Sequence, residues 1–205
     1  MDKRGHGYHI TDIREEDCAY LASLHLKYFG PSIISAFGEK FLLAAYEGMI
    51  GARWGRTILF QKGDETLGFA TVVMDGGKFF FEILKRRGWA MAIEVLRASF
   101  RTPRILKNVV RAARYPASFS GETKAELLTL ITREDCRGMG TGTILMEEVM
   151  RILREAGCPR FKVSVKKSWT RAVDFYLKRG FEVMGEIDDG KEGLLFLKYD
   201  FDRSK

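Results

Sequence analysis

The feature that most constrains this chain is a short turn with a glycine at every second position. The turn reads Arg137-Gly138-Met139-Gly140-Thr141-Gly142. It follows an apolar run over 126–132, whose length and composition are typical of a strand buried on both faces of a sheet. Glycines let the backbone approach a ligand closely and turn its N–H groups inwards. The sequence therefore predicts a strand that leads directly into a loop suited to an anion.

A helix is predicted to begin at this turn. Apolar residues recur there at spacings of three and four, and Gly157 and Pro159 end the pattern. These residues are Ile144, Leu145, Val149, Ile152, Leu153 and Ala156. The N-terminus of such a helix directs free N–H groups and the positive end of its dipole over the glycines, which favours a phosphate. A tight strand-to-helix connection that binds nothing remains the ordinary alternative on these residues alone.

Two other phosphate-binding motifs fit this turn poorly. A dinucleotide fingerprint has the spacing Gly-x-Gly-x-x-Gly, whereas Gly138, Gly140 and Gly142 occupy every second position. The sequence also has no acidic residue at the strand end where such a motif binds the ribose. A Walker loop requires Gly-Lys-Ser/Thr, which the sequence lacks. The choice of ligand therefore depends on the residues that follow the helix.

Residues downstream of the helix complete a resemblance to a known family. Arg137-x-x-Gly140-x-Gly142 resembles the acetyl-coenzyme A motif of the GCN5-related N-acetyltransferases, the GNAT family. Residues 172–181, AVDFYLKRGF, are similar to that family's Ala-x-x-Phe-Tyr-x-x-x-Gly-Phe segment. Two motifs in this order and at this separation are much more specific than either one. The resemblance is strongest over 126–181 and extends in element order over about residues 8–200.

The resemblance implies a mixed α/β fold, in which helices flank a central twisted mixed sheet. The length suits a single domain over 1–205, with an acetyl-CoA-binding core at 126–181 and a helical insertion at 78–121, between the third and fourth strands. Periodicity predicts the other elements. They are a strand at 8–13, helices at 14–29 and 33–46, strands at 57–61 and 67–74, and a terminal hairpin of 181–187 and 194–201.

The resemblance also implies how an acyl donor is held. Backbone N–H groups at the end of the 126–132 strand would contact the pantetheine arm and polarise the thioester carbonyl, and the glycine turn would hold the pyrophosphate. The implied acetyl-CoA contacts are Leu130, Ile131, Thr132, Arg137, Gly138, Met139, Gly140, Thr141, Gly142 and Thr143. Amide formation with this donor requires an amine that loses a proton and a thiolate that leaves.

Two catalytic roles follow from the same resemblance. Tyr176 stands at the position of the family's frequent general acid and would protonate the leaving sulfur, and a core aromatic beside Phe175 is the alternative. Glu126 stands where some members have the general base, and a solvated strand-edge carboxylate is the alternative. Direct attack within a ternary complex is favoured over an acyl-enzyme. An acyl-enzyme needs a nucleophile, and the one candidate nearby is Cys136, which is supported only by its position next to Arg137 in the sequence.

One position departs from the family pattern. Three residues before Ala172, where the family commonly has Asn, this chain has Trp169. In the family that Asn often helps to position the pantetheine arm or the start of the helix. We expect Ser168 or Thr170 to cap the helix instead.

The composition indicates a globular protein that attracts anions. There are 34 Lys and Arg against 27 Asp and Glu, a formal net charge of +7, which suits coenzyme A phosphates, a nucleotide-linked substrate or an acidic lipid surface. Nucleic acid is not expected, because no recognised binding module accompanies the charge. The three cysteines and three histidines are scattered, so the sequence predicts neither a disulfide framework nor a metal site. The histidines are predicted to be surface or core residues.

The predicted insertion combines charge with aromatic residues. Its basic residues recur at spacings of three and four along an amphipathic element, which Pro103 would split into two helices. They are Arg97, Arg101, Arg104, Lys107, Arg111 and Arg114. A solvated face, an anionic acceptor site and an acidic membrane surface are all compatible with this stripe. Aromatic residues at 79–81, Trp89 and Phe100 would add a lid or a homodimer contact.

The sequence thus predicts an acetyl-CoA-dependent N-acetyltransferase for an amine of a small-molecule or sugar-linked acceptor. The scattered cysteines predict a reducing cytoplasm, and the absence of a long apolar run or an apolar leader segment predicts a soluble protein, with peripheral membrane contact left open. Two other functions stay open: a non-catalytic acyl-CoA-binding regulatory module, and an acetyltransferase for protein or peptide amines. The early helices and the insertion contain no motif that identifies the acceptor.

Overall fold

A computed structural model describes residues 7–30, 34–101, 123–187 and 193–202. In these ranges seven strands form one sheet with the order β1-β2-β3-β4-β5-β7-β6. The strands are β1 (Tyr8–Asp12), β2 (Gly55–Lys62), β3 (Glu65–Val73), β4 (Glu126–Thr132), β5 (Arg160–Lys166), β6 (Glu182–Ile187) and β7 (Leu194–Asp200). Neighbouring strands are antiparallel except β4 and β5, which are parallel. The predicted mixed sheet is confirmed.

Five α-helices flank the sheet in the described part of the chain. They are α1 (Glu15–Phe29), α2 (Glu39–Met49), α3 (Gly76–Arg101), α4 (Thr141–Glu155) and α5 (Thr170–Leu177). The second helix was predicted over 33–46, but it begins at Glu39, after a short 3-10 turn at Ser35–Phe37. Gly38 separates the two segments because its φ of 89° and ψ of 177° are not helical.

The region between β3 and β4 begins with a long helix. α3 has 26 residues and starts shortly before the predicted insertion at 78–121. Residues 102–122 lie outside the described residues, and they include the predicted helix break and most of the predicted basic stripe. Of all the helices that the structure describes, none combines the length and the apolar character needed to cross a membrane.

Two helical layers cover opposite faces of the sheet. Side chains alternate between the faces of a strand, and α4 and α5 cover one face while α1 and α2 cover the other. Buried contacts on the α4 side include Leu127, Leu145, Val149 and Val163. Buried contacts on the α1 side include Leu21, Leu42, Phe69 and Ile131. β4 therefore has one layer of the core on each face, as its apolar sequence predicts.

β4 and β5 separate soon after they begin. Their parallel register consists of Glu126 opposite Lys162 and Leu127 opposite Val163, whereas β5 pairs with β7 along its whole length. The register between β4 and β3 shifts at the same point, because Leu128 is a bulged residue. A bulge bends its strand. A gap therefore opens between β4 and β5 beyond Leu127, and the sequence analysis did not predict it.

Candidate active site

The glycine turn joins β4 to α4 and has a backbone conformation that favours glycine. Gly138 and Gly140 have φ values of 81° and 86°, which side chains with a Cβ rarely adopt. Gly140 is the N-cap of α4, and the first turn of this helix has neither a side-chain cap nor an acidic residue. Its first N–H groups are therefore open to an anionic ligand, as the sequence predicted.

Gly142 differs from the other two glycines of the turn. It lies in the first turn of α4, where an added Cβ would be 3.5 Å from the Phe175 ring and 3.6 Å from the Thr132 methyl group. These are ordinary van der Waals distances. Gly138 and Gly140 therefore shape the turn through their backbone conformation, whereas the surroundings of Gly142 leave space for a Cβ.

Two arginines lie near the N-terminus of α4. The Arg137 guanidinium lies 5.4 Å from the centre of the Tyr28 ring, at the end of α1. Arg179, just after α5, stacks on the Phe175 ring at 3.6 Å and donates a hydrogen bond of 2.6 Å to Thr143 Oγ1. Guanidinium groups in this position suit a pyrophosphate, because they bind phosphate oxygens with charge-assisted hydrogen bonds.

Arg179 is a candidate cofactor contact that the sequence analysis missed. Together with Lys178 it borders a surface depression of about 460 Å³ that is also lined by Thr143 and other residues of α4 and by Tyr199 of β7. Thr143 thus belongs both to the first turn of α4 and to this depression. The sequence signal was a basic pair directly before Gly180, inside the segment similar to the family motif.

The end of β4 is held in place from the β3 side. Leu130, Ile131 and Thr132 pair with β3 residues, and a Cβ at Gly68 of β3 would lie 2.6 Å from the carbonyl oxygen of Ile131. Only a glycine permits this close approach. In an antiparallel pair alternate residues direct their N–H and C=O groups away from the partner strand. Some backbone groups of this segment therefore point towards the gap, as the donor assignment requires.

Tyr176 lies on α5 and is buried, with 6% of its surface exposed. Its ring packs against Phe175 and Phe181, and burial raises the pKa of its hydroxyl well above the usual value, although Arg179 lowers it in part. No described residue forms a hydrogen bond with this hydroxyl. Buried hydroxyls normally have a partner. The ring is therefore part of the core, and its hydroxyl is a buried group without a hydrogen-bond partner among the described residues.

Glu126 lies where β4 and β5 are still paired, at the closed end of the gap. Its carboxylate lies 3.6 Å from Lys162 Nζ and accepts a hydrogen bond of 3.3 Å from Ser164 Oγ. Burial raises the pKa of Glu126, and Lys162 and Ser164 oppose this shift without cancelling it. The Lys162 side chain is itself buried. Glu126 is thus a half-buried carboxylate that is paired with Lys162.

A buried polar chain connects the early helices to β4. His25 Nδ1 lies 2.9 Å from the Tyr46 hydroxyl, and the nearby Thr129 side chain opposes part of the rise in the pKa of Tyr46. Burial lowers the pKa of His25 to about 4, so the imidazole is neutral at neutral pH. His25 is therefore a core residue, one of the two options predicted for the histidines. Its partners lie far away in the chain, and no spacing in the sequence indicates them.

Trp169 occupies the N-cap position of α5, but no side chain caps this helix. The predicted cap by Ser168 or Thr170 is therefore wrong, because the N-cap position belongs to Trp169, which has no side-chain acceptor. Its carbonyl oxygen accepts a hydrogen bond of 2.8 Å from the Ala172 N–H. Its ring meets Phe29 of α1 edge to face, with 5.6 Å between ring centres. Trp169 thus connects the end of β5 to α1, which packs over β4.

Cys136 has the properties of an inert thiol. It is 6% exposed, and burial and the Asp135 carboxylate raise its pKa. Its Sγ–H donates to Asp135 Oδ1 over 3.6 Å. The nucleophile in covalent catalysis is the thiolate. A thiol that stays protonated therefore supports the predicted direct attack over an acyl-enzyme.

A comparison with protein-family models identifies the family. The model described as Acetyltransferase (GNAT) family matches residues 21–181. This chain belongs to the GNAT acetyltransferase family. The match covers more than half of the chain and includes the glycine turn, so it confirms the family and the enzyme class predicted from the sequence. No curated protein matches the sequence of this GNAT protein.

Solved structures resemble this GNAT protein over nearly its whole length. Arabidopsis thaliana Naa50 in complex with the bisubstrate analogue CoA-Ac-MVNAL is 15% identical, with a TM-score of 0.59 over 95% of this chain and 99% of that chain. The yncA protein of Salmonella typhimurium, with its cofactor acetyl-CoA, is 12% identical, with a TM-score of 0.58 over 96% of this chain and 95% of that chain. A GNAT-family acetyltransferase from Streptococcus pneumoniae is 14% identical, with a TM-score of 0.58 over 95% of this chain and 99% of that chain. At such identities the likeness concerns the fold.

Proposed function

We propose that this GNAT protein is an acetyl-CoA-dependent N-acetyltransferase in which the acceptor amine attacks the thioester directly. The observation that carries the proposal is the open N-terminus of α4 behind the glycine turn, beside the gap between β4 and β5. The free N–H groups there suit a pyrophosphate. The β4 edge supplies N–H donors for a carbonyl oxygen. When bound, acetyl-CoA supplies the activated acetyl group.

Tyr176 acts as the general acid in this proposal. Its raised pKa keeps the hydroxyl protonated through neutral and moderately alkaline pH, which is the state that a proton donor needs. A buried hydroxyl without a protein partner costs about 1–3 kcal/mol. A ligand sulfur beside Tyr176 would provide the partner and receive the proton.

Glu126 acts as the general base, directly or through one water molecule. Its raised pKa makes it a stronger base than an exposed carboxylate. Lys162 Nζ, 3.6 Å away, favours the ionised form that can accept a proton. The pair therefore provides a base that can ionise and is partly shielded from bulk water.

The acceptor that we propose is a small-molecule or sugar-linked amine, with anionic or nucleotide-linked amines first. The net charge of +7 supports an anionic acceptor. A cytoplasmic location is part of the same proposal, because the three cysteines are free, which suits a reducing compartment.

Calorimetric titration with acetyl-CoA tests the donor site. Gly140→Ala and Gly157→Ala form a matched pair, because both residues have positive φ, 86° and 71°, at opposite ends of α4. Both variants carry similar backbone strain of roughly 1–2 kcal/mol. Only Gly140→Ala should weaken acetyl-CoA binding, by about tenfold or more if one hydrogen bond to phosphate is lost.

The outcomes separate the functions that the sequence leaves open. If the native protein does not bind acetyl-CoA, the donor assignment is wrong. If it binds but releases no thiol above background with a broad amine panel, the protein is a binding or regulatory module. Thiol release with peptide amines alone would instead indicate a protein or peptide acetyltransferase.

A further inference from the structure

One side of α3 exposes large apolar side chains to solvent. Phe81, Leu84, Trp89, Leu96 and Phe100 are exposed by 60%, 55%, 73%, 59% and 88%. The opposite side of the same helix is anchored in the protein, where Phe79 and Ile83 are buried in a cluster with Val73 of β3. α3 is therefore a docked helix with one side open, and its exposed residues are not part of the core.

The exposed side chains form a continuous stripe. They follow one another at spacings of three to seven residues, which places them within one half of the helix circumference. From Phe81 to Phe100 the stripe extends over about 28 Å at the helical rise per residue. Monomeric proteins rarely expose contiguous apolar patches of more than a few hundred Å², and larger ones mark interaction sites.

Positive charge accompanies the stripe. Lys78, Lys85, Arg86 and Arg97 are exposed on α3. Lys78 pairs with Asp75 and Arg86 also donates to the Ile50 carbonyl oxygen, whereas Lys85 Nζ lies beside the stripe, 4.6 Å from the centre of the Phe81 ring. The two acidic residues of the helix are neutralised: Glu82 and Glu94 pair with Arg86 and Arg97, and their side chains are only 20% and 16% exposed. The open side of α3 is thus apolar, and the helix that carries it has more basic than acidic residues.

We propose that this face of α3 docks on the surface of an anionic lipid bilayer, with the helix lying in the plane of the interface. Helices that bind in this way have Trp, Phe and Leu on one side and Lys and Arg at its borders. The apolar stripe would enter the boundary between headgroups and acyl chains. Lysine and arginine side chains would reach the acidic headgroups, because their long stems allow the charge to stay in the polar layer.

A second copy of this chain fits the face less well than a bilayer. Two copies joined through α3 would bring together two helices that each have six basic and two acidic residues. Like charges across an interface oppose association. An anionic bilayer complements the charge and the apolar stripe together, and it requires no matching groove.

Vesicle flotation of the full chain tests the proposal without any need for enzymatic activity. The vesicles are phosphatidylcholine alone, or phosphatidylcholine and phosphatidylglycerol at a ratio of about 3:1. The native protein should float with the anionic vesicles and stay unbound with the neutral ones. Trp89→Ser combined with Leu96→Ser should lower binding by about tenfold, and Lys85→Glu by about fivefold or more.

Val183→Ser is the matched control, because Val183 on β6 is 55% exposed and lies away from α3. It should bind vesicles like the native protein. Calorimetric titration with acetyl-CoA shows that the α3 variants are folded, since none of their residues contributes to the donor site. Tryptophan emission should shift to the blue with anionic vesicles, and this shift should be lost in Trp89→Phe.

Three results would overturn the proposal. The first is that the native protein fails to bind anionic vesicles. The second is equal binding to neutral vesicles, which would leave no role for the charge. The third is self-association in sedimentation experiments that the Trp89→Ser and Leu96→Ser changes abolish, which would make the face a dimer contact.

Discussion

The donor side and the early helical side of this GNAT protein are built on different principles. On the donor side, β4 and α4 present backbone N–H groups to a ligand, and two glycines with positive φ shape the turn between them. On the early helical side, α1 and α2 hold their polar groups through side-chain contacts such as His25 with Tyr46. The donor side exposes backbone N–H groups, and the early helical side packs polar side chains against one another.

This difference explains why the two sides are not equally visible in the sequence. A backbone site needs glycine at particular positions, so it leaves a local pattern. A side-chain site is assembled from residues far apart in the chain, so it leaves none. The donor is therefore identifiable from the sequence, while the acceptor is not.

The largest expected effect concerns Tyr176, the proposed general acid. Tyr176→Phe should lower kcat by about a hundredfold, because general acid catalysis typically contributes that much or more. Binding of acetyl-CoA should stay nearly unchanged, since the pyrophosphate contacts lie on α4. Turnover and calorimetric titration measure the two quantities separately.

Tyr199→Phe is the control for this change. Tyr199 is buried in the same aromatic cluster, next to Phe181, so its hydroxyl tests whether loss of any buried phenol slows the enzyme. Equal losses of turnover in both variants would show that Tyr176 acts through packing. A loss in Tyr176→Phe alone supports proton donation.

A smaller effect is expected for the pair of Glu126 and Lys162. Glu126→Gln should lower kcat/KM by about tenfold, less than a full general-base contribution because solvent can take over the proton. In the native protein kcat/KM should fall as the pH drops through the raised pKa of Glu126, since only the ionised carboxylate accepts a proton. That acidic limb should be absent in Glu126→Gln.

The charge of Lys162 sharpens this test. Lys162→Met removes the strongest influence that lowers the pKa of Glu126, so the acidic limb of the pH profile should move to higher pH. Lys162→Arg keeps the charge and should move it much less. A limb that stays in place in Lys162→Met would mean that another group titrates.

His25 provides a prediction for the early helical side. Burial lowers its pKa from 6.5 to about 4, so between these values the unfolded chain binds a proton that the folded protein does not. The stability that this provides is present above pH 6.5 and is lost as the pH falls towards 4. Between pH 7 and pH 5 the loss should be about 2 kcal/mol in the free energy of unfolding.

Urea unfolding at several pH values measures this loss. His25→Gln should remove most of the pH dependence in this range, and His9→Gln should not, because His9 is exposed on β1. An unchanged slope in His25→Gln would assign the pH dependence to other groups. Binding of acetyl-CoA should be unaffected in both variants, which would keep the two sides distinct.

Local patterns were sufficient for most of the fold. The strand at 126–132 and the helix after the glycine turn were predicted at the positions where the structure has them. The start of α2 was missed because Gly38 interrupts the apolar periodicity only through its backbone conformation. The gap between β4 and β5 was missed because a bulge depends on the register with β3, which no local pattern contains.

The candidate site divides in the same way. The glycine turn and the helix after it were identified from the sequence, and the role of this turn in holding pyrophosphate stays a prediction. The contacts of Lys162 with Glu126, Arg179 with Thr143, and Tyr46 with Thr129 were not identified. Each joins two elements that are distant in the chain and approach only in the folded sheet, so residue spacing carries no information about them.

The smallest expected effect concerns a contact that joins the two sides. Phe29 of α1 and Trp169 before α5 meet edge to face with 5.6 Å between ring centres, and aromatic pairs of this geometry contribute about 0.5–1.5 kcal/mol beyond their burial. A double-mutant cycle with Phe29→Leu and Trp169→Leu should therefore give a coupling of about 1 kcal/mol in urea unfolding. Phe29→Leu with Val183→Leu is the control cycle and should be additive. Additivity in the Phe29 and Trp169 cycle would show that the donor side and the early helices are energetically independent at this contact. A measurable coupling would show that Trp169 connects them, at a position where the family commonly has Asn.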